Sequence, residues 1–541
     1  MSSTTVPTMR SLDRIPGRTW TAWRSPGRFT KNPDVVALPD GRLLAVYADV
    51  DKHWAEGIIE LTLIQSVDSG RTWAHAGVVA RSDRSRREPH WVTPRISCLS
   101  TGRLAITCDL DDFEHSHEFQ TPGIFLWWSD DLGKTWSDPV NTGVPGIEPD
   151  RIIELPDGRL SMGSHMAVAS TQKLSEFICR SADGGRSWGP PVKVAGDNVH
   201  LYCEGAYLVL ADGTLVCVLR DNLHQNYPSR VCFSFDCGDT WTGPRDAPFS
   251  GDRPFIGQIP DGRILATYRH MGGSRGTHAW LGHLQHELGY RVSSVHRHGA
   301  SVTVTAHDGL RIHQRSPATT QYNLLPPESY RSAVLFHARV RVEGVTGSDS
   351  EVCAVIQLAH VGVRLRIMPG GVSLGDPDLH HVAVDRTWEA NMTEWHDIRI
   401  RHDSGLVRVW IDGVDVLRYR LVLPGPFVPT FFGSETDGTG TSQWQHVTYD
   451  VRNQSDPDWS WIWDARSGLF PDQYSLDRMI ELHPNTHRNP DNGYSSWLPI
   501  NDDQVLVLDY TNEGDPLGQS HVIGCDLRIS DFDRRSATSP A

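Results

Sequence analysis

The sequence predicts an all-β fold, a six-bladed β-propeller with an inserted β-sandwich, and three observations carry that prediction. The first is a short segment at residues 66–73, 129–136, 181–188 and 234–241, each time reading Ser-x-Asp-x-Gly-x-(Ser/Thr)-Trp. In such a segment the Asp carboxylate accepts turn N–H groups, Gly supplies a positive φ, and Trp anchors the turn beneath a sheet. The second is an out-of-phase repeat of strand, tight turn and strand at residues 32–47, 93–108, 148–163, 204–219, 253–268 and 494–509. Six copies imply six blades, and the first five start about 50 to 60 residues apart, a normal blade length. The third is the gap of about 240 residues before the sixth copy, which leaves room for another domain.

That insert is expected over residues 295–451. Residues 301–305, 338–342 and 363–367 alternate apolar and polar positions, as half-buried strands do, and Asp412-Gly413 marks a hairpin. Residues 1–294 then hold blades one to five with an N-terminal closing strand near Thr19 to Trp23. Residues 452–532 hold a linker helix and blade six, and 533–541 form a tail. The helix is read from Leu476, Met479 and Ile480, which share one helical face.

Composition narrows the function classes. A chain of 541 residues with 19 Trp, 48 Gly and 34 Pro suits many short strands and turns. Its formal net charge of −15, without a dense Lys/Arg run, argues against nucleic acid or an anionic membrane as partner. The nine cysteines are odd in number and unpaired in spacing, which reads as free thiols in a reducing compartment. Residues 1–18 lack the apolar core of a signal peptide, and no stretch is long and apolar enough to span a bilayer. A cytoplasmic location is expected. No dinucleotide fingerprint, phosphate loop, nucleophile elbow or His-Glu-x-x-His appears, so neither cofactor nor metal is expected. Glu114-His-Ser-His-Glu118 reads as a solvated loop rather than a metal site.

In a propeller the innermost strand of each blade lines the central channel, so side chains at its start reach the mouth. The six repeats nominate Lys31, Asn32 and Asp34; His90 and Arg95; Glu148, Asp150 and Arg151; Glu204; Asp252 and Arg253; and Asn492 with Tyr494. The carboxylates among them could supply a general acid and a general base. His53, His90 and His270 are further proton-donor candidates.

The four Ser-x-Asp-x-Gly-x-(Ser/Thr)-Trp segments are Asp boxes (BNR repeats), and with them the chain resembles the sialidase superfamily, from whose true sialidases it diverges. That resemblance implies a tyrosine nucleophile activated by a glutamate, an acidic acid/base residue and three arginines that clamp a substrate carboxylate. Residues 203–220 look like the family's Glu-to-Arg stretch and give Glu204 and Arg220; Gly493-Tyr-Ser-Ser-Trp497 gives Tyr494. Ser274-Arg-Gly-Thr-His278 gives Arg275. The acid/base residue is expected within 51–57, with Glu56 nearest in spacing and Asp51 second. Blade one departs from the family: Lys31-Asn32-Pro33 stands where sialidases carry Arg-Ile-Pro, so one arm of the clamp is lost or replaced by Lys31, whose charge lacks the guanidinium fork. Lys31, Asp34, His90, Arg95, Asp150, Arg151 and Arg253 complete the expected substrate-binding set.

The resemblance implies an exo-acting glycoside hydrolase that removes a terminal sugar, a sialic acid, a uronic acid or a neutral residue, from a carbohydrate. A polysaccharide lyase acting on uronic acid and a non-catalytic glycan-binding protein are the alternatives. The insert resembles a laminin-G or concanavalin-like jelly roll, read equally as a carbohydrate-binding module and as a scaffold.

Overall fold

A computed structural model describes residues 9–533 except 113–122, 224–227, 272–274, 290–292, 299–300, 317, 325, 327, 329–330, 345–350, 359–362, 376–385, 421–429, 436–437 and 455–457. The Glu114–Glu118 loop lies outside the described residues. The chain is nearly all β and divides into two compact units, residues 9–290 with 477–541 and residues 291–476 with 1–8.

The first unit contains six small sheets. The first is a four-stranded meander of Phe29–Ala37, Leu43–Val50, Ile58–Ser66 and Ala74–Asp83. The second places His90–Trp91 and Arg95–Cys98 against Leu104–Asp111, followed by Ile124–Ser129 and Val140–Asn141. The third runs Ile153–Glu154, Leu160–Val168, Lys173–Ser181, Val192–Ala195, and the fourth Tyr202–Val209, Leu215–Asp221, Arg230–Ser234, Arg245–Asp246.

Two sheets are assembled from distant parts of the chain. The fifth takes Asp252–Gln258, Ile264–His270 and Gly276–Gly282, then Met479–Pro484, with Arg10–Ser11 added in parallel. The sixth takes Asn492–Pro499, Gln504–Thr511 and His521–Arg528, and Thr19–Trp23 pairs antiparallel with its last strand. Arg18 ties this closure down, with its guanidinium on Asp531 and on the Asp526 carbonyl oxygen at 2.5 Å.

The inner edges of these sheets are joined in a closed circuit. Ile96 N–H donates to Asp34 at 2.8 Å, Ile152 N–H to Ser97 Oγ at 2.9 Å, and Tyr207 N–H to Asp150 at 2.8 Å. Arg253 N–H then donates to Glu204 at 2.9 Å, Ser495 Oγ to Thr267 at 2.9 Å, and Ser496 Oγ to the Pro33 carbonyl at 3.4 Å. Apolar cores fill the spaces between successive sheets. Val35, Tyr47 and Ile64 of the first meet Leu506, Leu508 and Val522 of the sixth, and Ile178 and Val194 of the third meet Leu215 and Cys217 of the fourth.

The four repeated turns share one geometry. In the first, Thr72 N–H donates to Asp68 Oδ1 at 2.9 Å and its hydroxyl to Asp68 Oδ2 at 2.6 Å, while Ser66 Oγ accepts from Gly70 N–H at 2.9 Å. These hydrogen bonds, led by the Thr72 hydroxyl, hold the Asp68 carboxyl down to about 2. Asp131, Asp183 and Asp236 repeat the arrangement, so all four acids are spent on turns.

The second unit holds a seven-stranded and an eight-stranded sheet. Ala333–Glu343 alternates buried and outward positions along its length. Phe432 of the seven-stranded sheet meets Trp444 and Phe336 of the eight-stranded one, with ring centroids 5.1 and 6.4 Å apart. The expected linker helix is shorter than its apolar spacing suggests. Only Gln473–Arg478 is helical; Met479 and Ile480 already belong to Met479–Pro484, whose pairing with Gly276–Gly282 overrides helical periodicity. Trp459–Asp464, placed with the linker by the sequence reading, is a strand paired with Thr439–Arg452.

All nine cysteines are free. Among the described residues no helix is long and apolar enough to cross a membrane.

Candidate active site

Five of the six inner edges carry a residue bent into the left-handed backbone region: Asn32 (φ 55°), Glu148 (48°), Glu204 (56°), Arg253 (45°) and Tyr494 (57°). At four of them the strand register slips, between Lys31 and Asp34, Cys203 and Ala206, Asp252 and Phe255, and Gly493 and Ser496. Such bulges re-aim a side chain that regular alternation would send elsewhere. Three of these side chains, Tyr494, Glu148 and Glu204, then meet.

The Tyr494 hydroxyl lies 2.8 Å from Glu204 Oε1 and 3.0 Å from Glu148 Oε1. Arginines wall the cluster. Arg220 Nη1 donates to Glu204 Oε1 at 3.1 Å, and the guanidinium groups of Arg253 and Arg269 lie 5.2 and 5.8 Å from the Tyr494 ring centroid. Arg220 and Arg269 converge on one carboxylate, Asp252, at 2.9 and 3.1 Å. Arg253 donates to the carbonyls of Glu148 and Pro149 at 3.2 and 3.0 Å. Behind the Glu204 bulge, His165 Nδ1 accepts from Glu204 N–H at 3.2 Å and the Glu176 carboxyl accepts from Gly205 N–H at 3.3 Å.

The two glutamates are driven apart in acidity. Burial, then the charge of Glu204, pushes Glu148 up to about 7. Burial also pushes Glu204 upward, but Arg220, Arg269 and Arg253 outweigh it and hold that carboxyl well below the usual carboxylate range. One tyrosine hydroxyl therefore sits between an ionised acceptor and a carboxyl poised near neutrality. Burial, followed by both carboxylates, raises the Tyr494 phenol well above its ordinary value. Among the described residues, no cluster of His, Cys, Asp and Glu could hold a metal ion.

Glu204, Tyr494, Arg220 and Arg253 are thus brought together as expected, and several other expected site residues are not. Glu56 is exposed over 76% of its side chain and pairs with Lys52, and Asp51 is spent accepting Glu56 N–H at 3.1 Å. The contacts given for both acids stay within their own loop. Arg275 is exposed with its carbonyl taken by Asn485 N–H, and the arginine of that hairpin that reaches the cluster is the half-buried Arg269.

Asp34, Arg95, Asp150 and Arg151 form an internal ionic strut between sheets. Arg151 grips Asp34 at 2.5 and 2.9 Å, and the wholly buried Arg95 lies 3.6 and 3.7 Å from Asp34 and Asp150. His90 is buried beside Asp111 in the second sheet. Lys31 is buried, and its Nζ donates to the His53 carbonyl at 3.0 Å. Burial lowers its pKa, opposed by Asp109, Asp491 and Glu148, so its ammonium braces the 51–57 loop. The roles of Arg269, His165 and Glu176 were missed, whereas repeat spacing nominated Glu148 among the carboxylates that could act as acid or base.

A tyrosine held by glutamates and arginines within a nearly all-β chain is the arrangement that the resemblance to sialidases implied. No family model matches the chain. A curated sialidase of Paraclostridium sordellii is 24% identical over 284 residues, covering 50% of this chain and 59% of its own length. One from Bacteroides fragilis is 25% identical, covering 41% of this chain and 43% of its own. A solved Trypanosoma rangeli sialidase in complex with sialic acid aligns with 82% of this chain and 95% of its own, at 13% identity and a TM-score of 0.36. The chain is a divergent sialidase-superfamily protein, and its matches span about three-fifths or less of the curated relatives' length.

Proposed function

We propose that this protein is an exo-acting glycoside hydrolase that removes a terminal acidic sugar, built as a six-bladed propeller with a β-sandwich inserted in its fifth blade. The observation that carries the reading is the Tyr494 hydroxyl 2.8 Å from Glu204, a carboxylate kept ionised by three arginines. Glu204 takes the phenolic proton as Tyr494 oxygen attacks the anomeric carbon, forming a glycosyl-tyrosine that water then hydrolyses. A neutral phenol suits a substrate whose reacting carbon bears a carboxylate, since a carboxylate nucleophile would be repelled. The paired guanidinium groups of Arg220 and Arg269 offer complementary charge beside Tyr494. The closed circuit of six inner edges supports the propeller, and the packed aromatic rings of the second unit support the sandwich.

The test is turnover on a panel of aryl sialosides, uronides and neutral glycosides. Release of aryl alcohol from an acidic member, abolished in Glu204→Gln, is expected. Turnover of neutral members alone would remove the acidic-sugar part of the reading. An unsaturated product absorbing in the ultraviolet would replace hydrolysis by elimination.

A further inference from the structure

The cluster around Tyr494 supplies a nucleophile and its base, while the acids expected to protonate the departing oxygen, Glu56 and Asp51, are engaged within their own loop. The same loop carries another proton carrier. His53 Nδ1 lies 2.6 Å from Asp491 Oδ2, and Asp491 Oδ1 accepts the Tyr510 hydroxyl at 2.7 Å. Asp491 stands three residues before Tyr494 on the chain. Burial raises its carboxyl, but His53 and Tyr510 among its partners outweigh this and hold it ionised. The loop is pinned to the site by Lys31, whose Nζ donates to the His53 carbonyl and whose charge is felt by Glu148 and Asp491. Phe29 meets the imidazole edge-on at 6.0 Å and Trp54 at 5.2 Å. With Nδ1 committed to Asp491, Nε2 is the ring nitrogen left for proton exchange, on a side chain 42% exposed. Of the other charges on this loop, Lys52 pairs with Glu56 and Asp51 accepts Glu56 N–H.

We propose that His53, oriented by Asp491, is the acid/base residue of this site, an inference that rests on the hydrolase reading above. As the bond from Tyr494 oxygen to the anomeric carbon forms and the glycosidic C–O bond breaks, the proton on His53 Nε2 passes to the departing oxygen, which leaves as an alcohol. In the second half, Nε2 takes a proton from the attacking water, whose oxygen bonds to the anomeric carbon. The tyrosyl C–O bond breaks and Tyr494 recovers its proton from Glu204. Asp491 is a positioning residue that fixes the imidazole tautomer and orientation.

The experiment compares kcat/KM of the full chain on two glycosides of one sugar, a 2,4-dinitrophenyl glycoside that needs no protonation to depart and an alkyl glycoside that does. His53→Gln is expected to lose about 100-fold or more on the alkyl glycoside and under about 3-fold on the dinitrophenyl one. Asp491→Asn should show the same pattern at about 10-fold. Glu56→Gln should retain both rates. The dinitrophenyl rate also reports that each variant is folded. Equal losses on both substrates, no loss on the alkyl glycoside, or a leaving-group-dependent loss in Glu56→Gln would each overturn the assignment. A wild-type chain that cleaves no glycoside would instead bring down the hydrolase reading and this inference with it.

Discussion

At the scale of single residues, the site is held by backbone that ordinary side chains avoid. Left-handed non-glycine residues cost on the order of 1–3 kcal/mol each and persist where their surroundings over-determine them. Here the restraint is visible: the Glu204 N–H is taken by His165 and the following N–H by Glu176. Tyr494→Phe removes the hydroxyl without relaxing that backbone. It should cut turnover by about 10³-fold with an unchanged circular dichroism spectrum. Acidity gives a second expectation. Burial holds Glu176 up at about 8, Glu328 at about 8 and Glu148 at about 7, against an ordinary value of 4.5. The folded chain therefore keeps protons that the unfolded chain sheds. The stability from these groups is complete below about pH 4.5 and is lost as pH rises through 7 to 8. Urea midpoints should fall between pH 5.5 and 8.5, and Glu176→Gln should flatten part of the fall. Tyr494, Glu204 and Arg220 were legible because each sits in a repeat or a family-like stretch. Arg269 was not: it lies six positions before Arg275 in the same hairpin, and only pairing register separates the half-buried guanidinium from the exposed one.

At the scale of elements, the four repeated turns brace one sheet against another. A Cβ added to Gly70 would fall 2.3 Å from Leu506 Cδ2 of the sixth sheet, and one at Gly133 2.6 Å from Leu44 Cδ2 of the first. Both glycines also hold φ near +85°. Gly70→Ala should therefore destabilise the fold by about 1–3 kcal/mol through overpacking and strain, read as a lower unfolding midpoint with kcat unchanged. These turns were plain in the sequence because the residues that make them are local. The strand at Met479–Pro484 was not, because its partner Gly276–Gly282 lies some 200 positions earlier and no local pattern reports it.

At the scale of the whole molecule, the long excursion between 282 and 479 begins and ends on neighbouring strands of the fifth sheet, where Trp280 pairs with Met479. Replacing residues 291–476 by a short Gly/Ser linker should leave cleavage of small aryl glycosides within about 3-fold of the parent chain. A carbohydrate-binding role for the excised part predicts weaker retention on polymeric glycan, and a scaffold role predicts none. The excursion was legible as a break in the repeat; the pairing that brackets it was not.

The lock formed by Thr19–Trp23 on His521–Arg528 also orders events during synthesis. Thr19–Trp23 must wait some 500 residues of synthesis for its mate, and its edge stays unpaired until then. Contacts of such long sequence separation form late and slowly, and unpaired edges in the interim are aggregation sites. Recombinant yield should accordingly depend on temperature and chaperone supply more steeply than the stability of the finished fold would suggest.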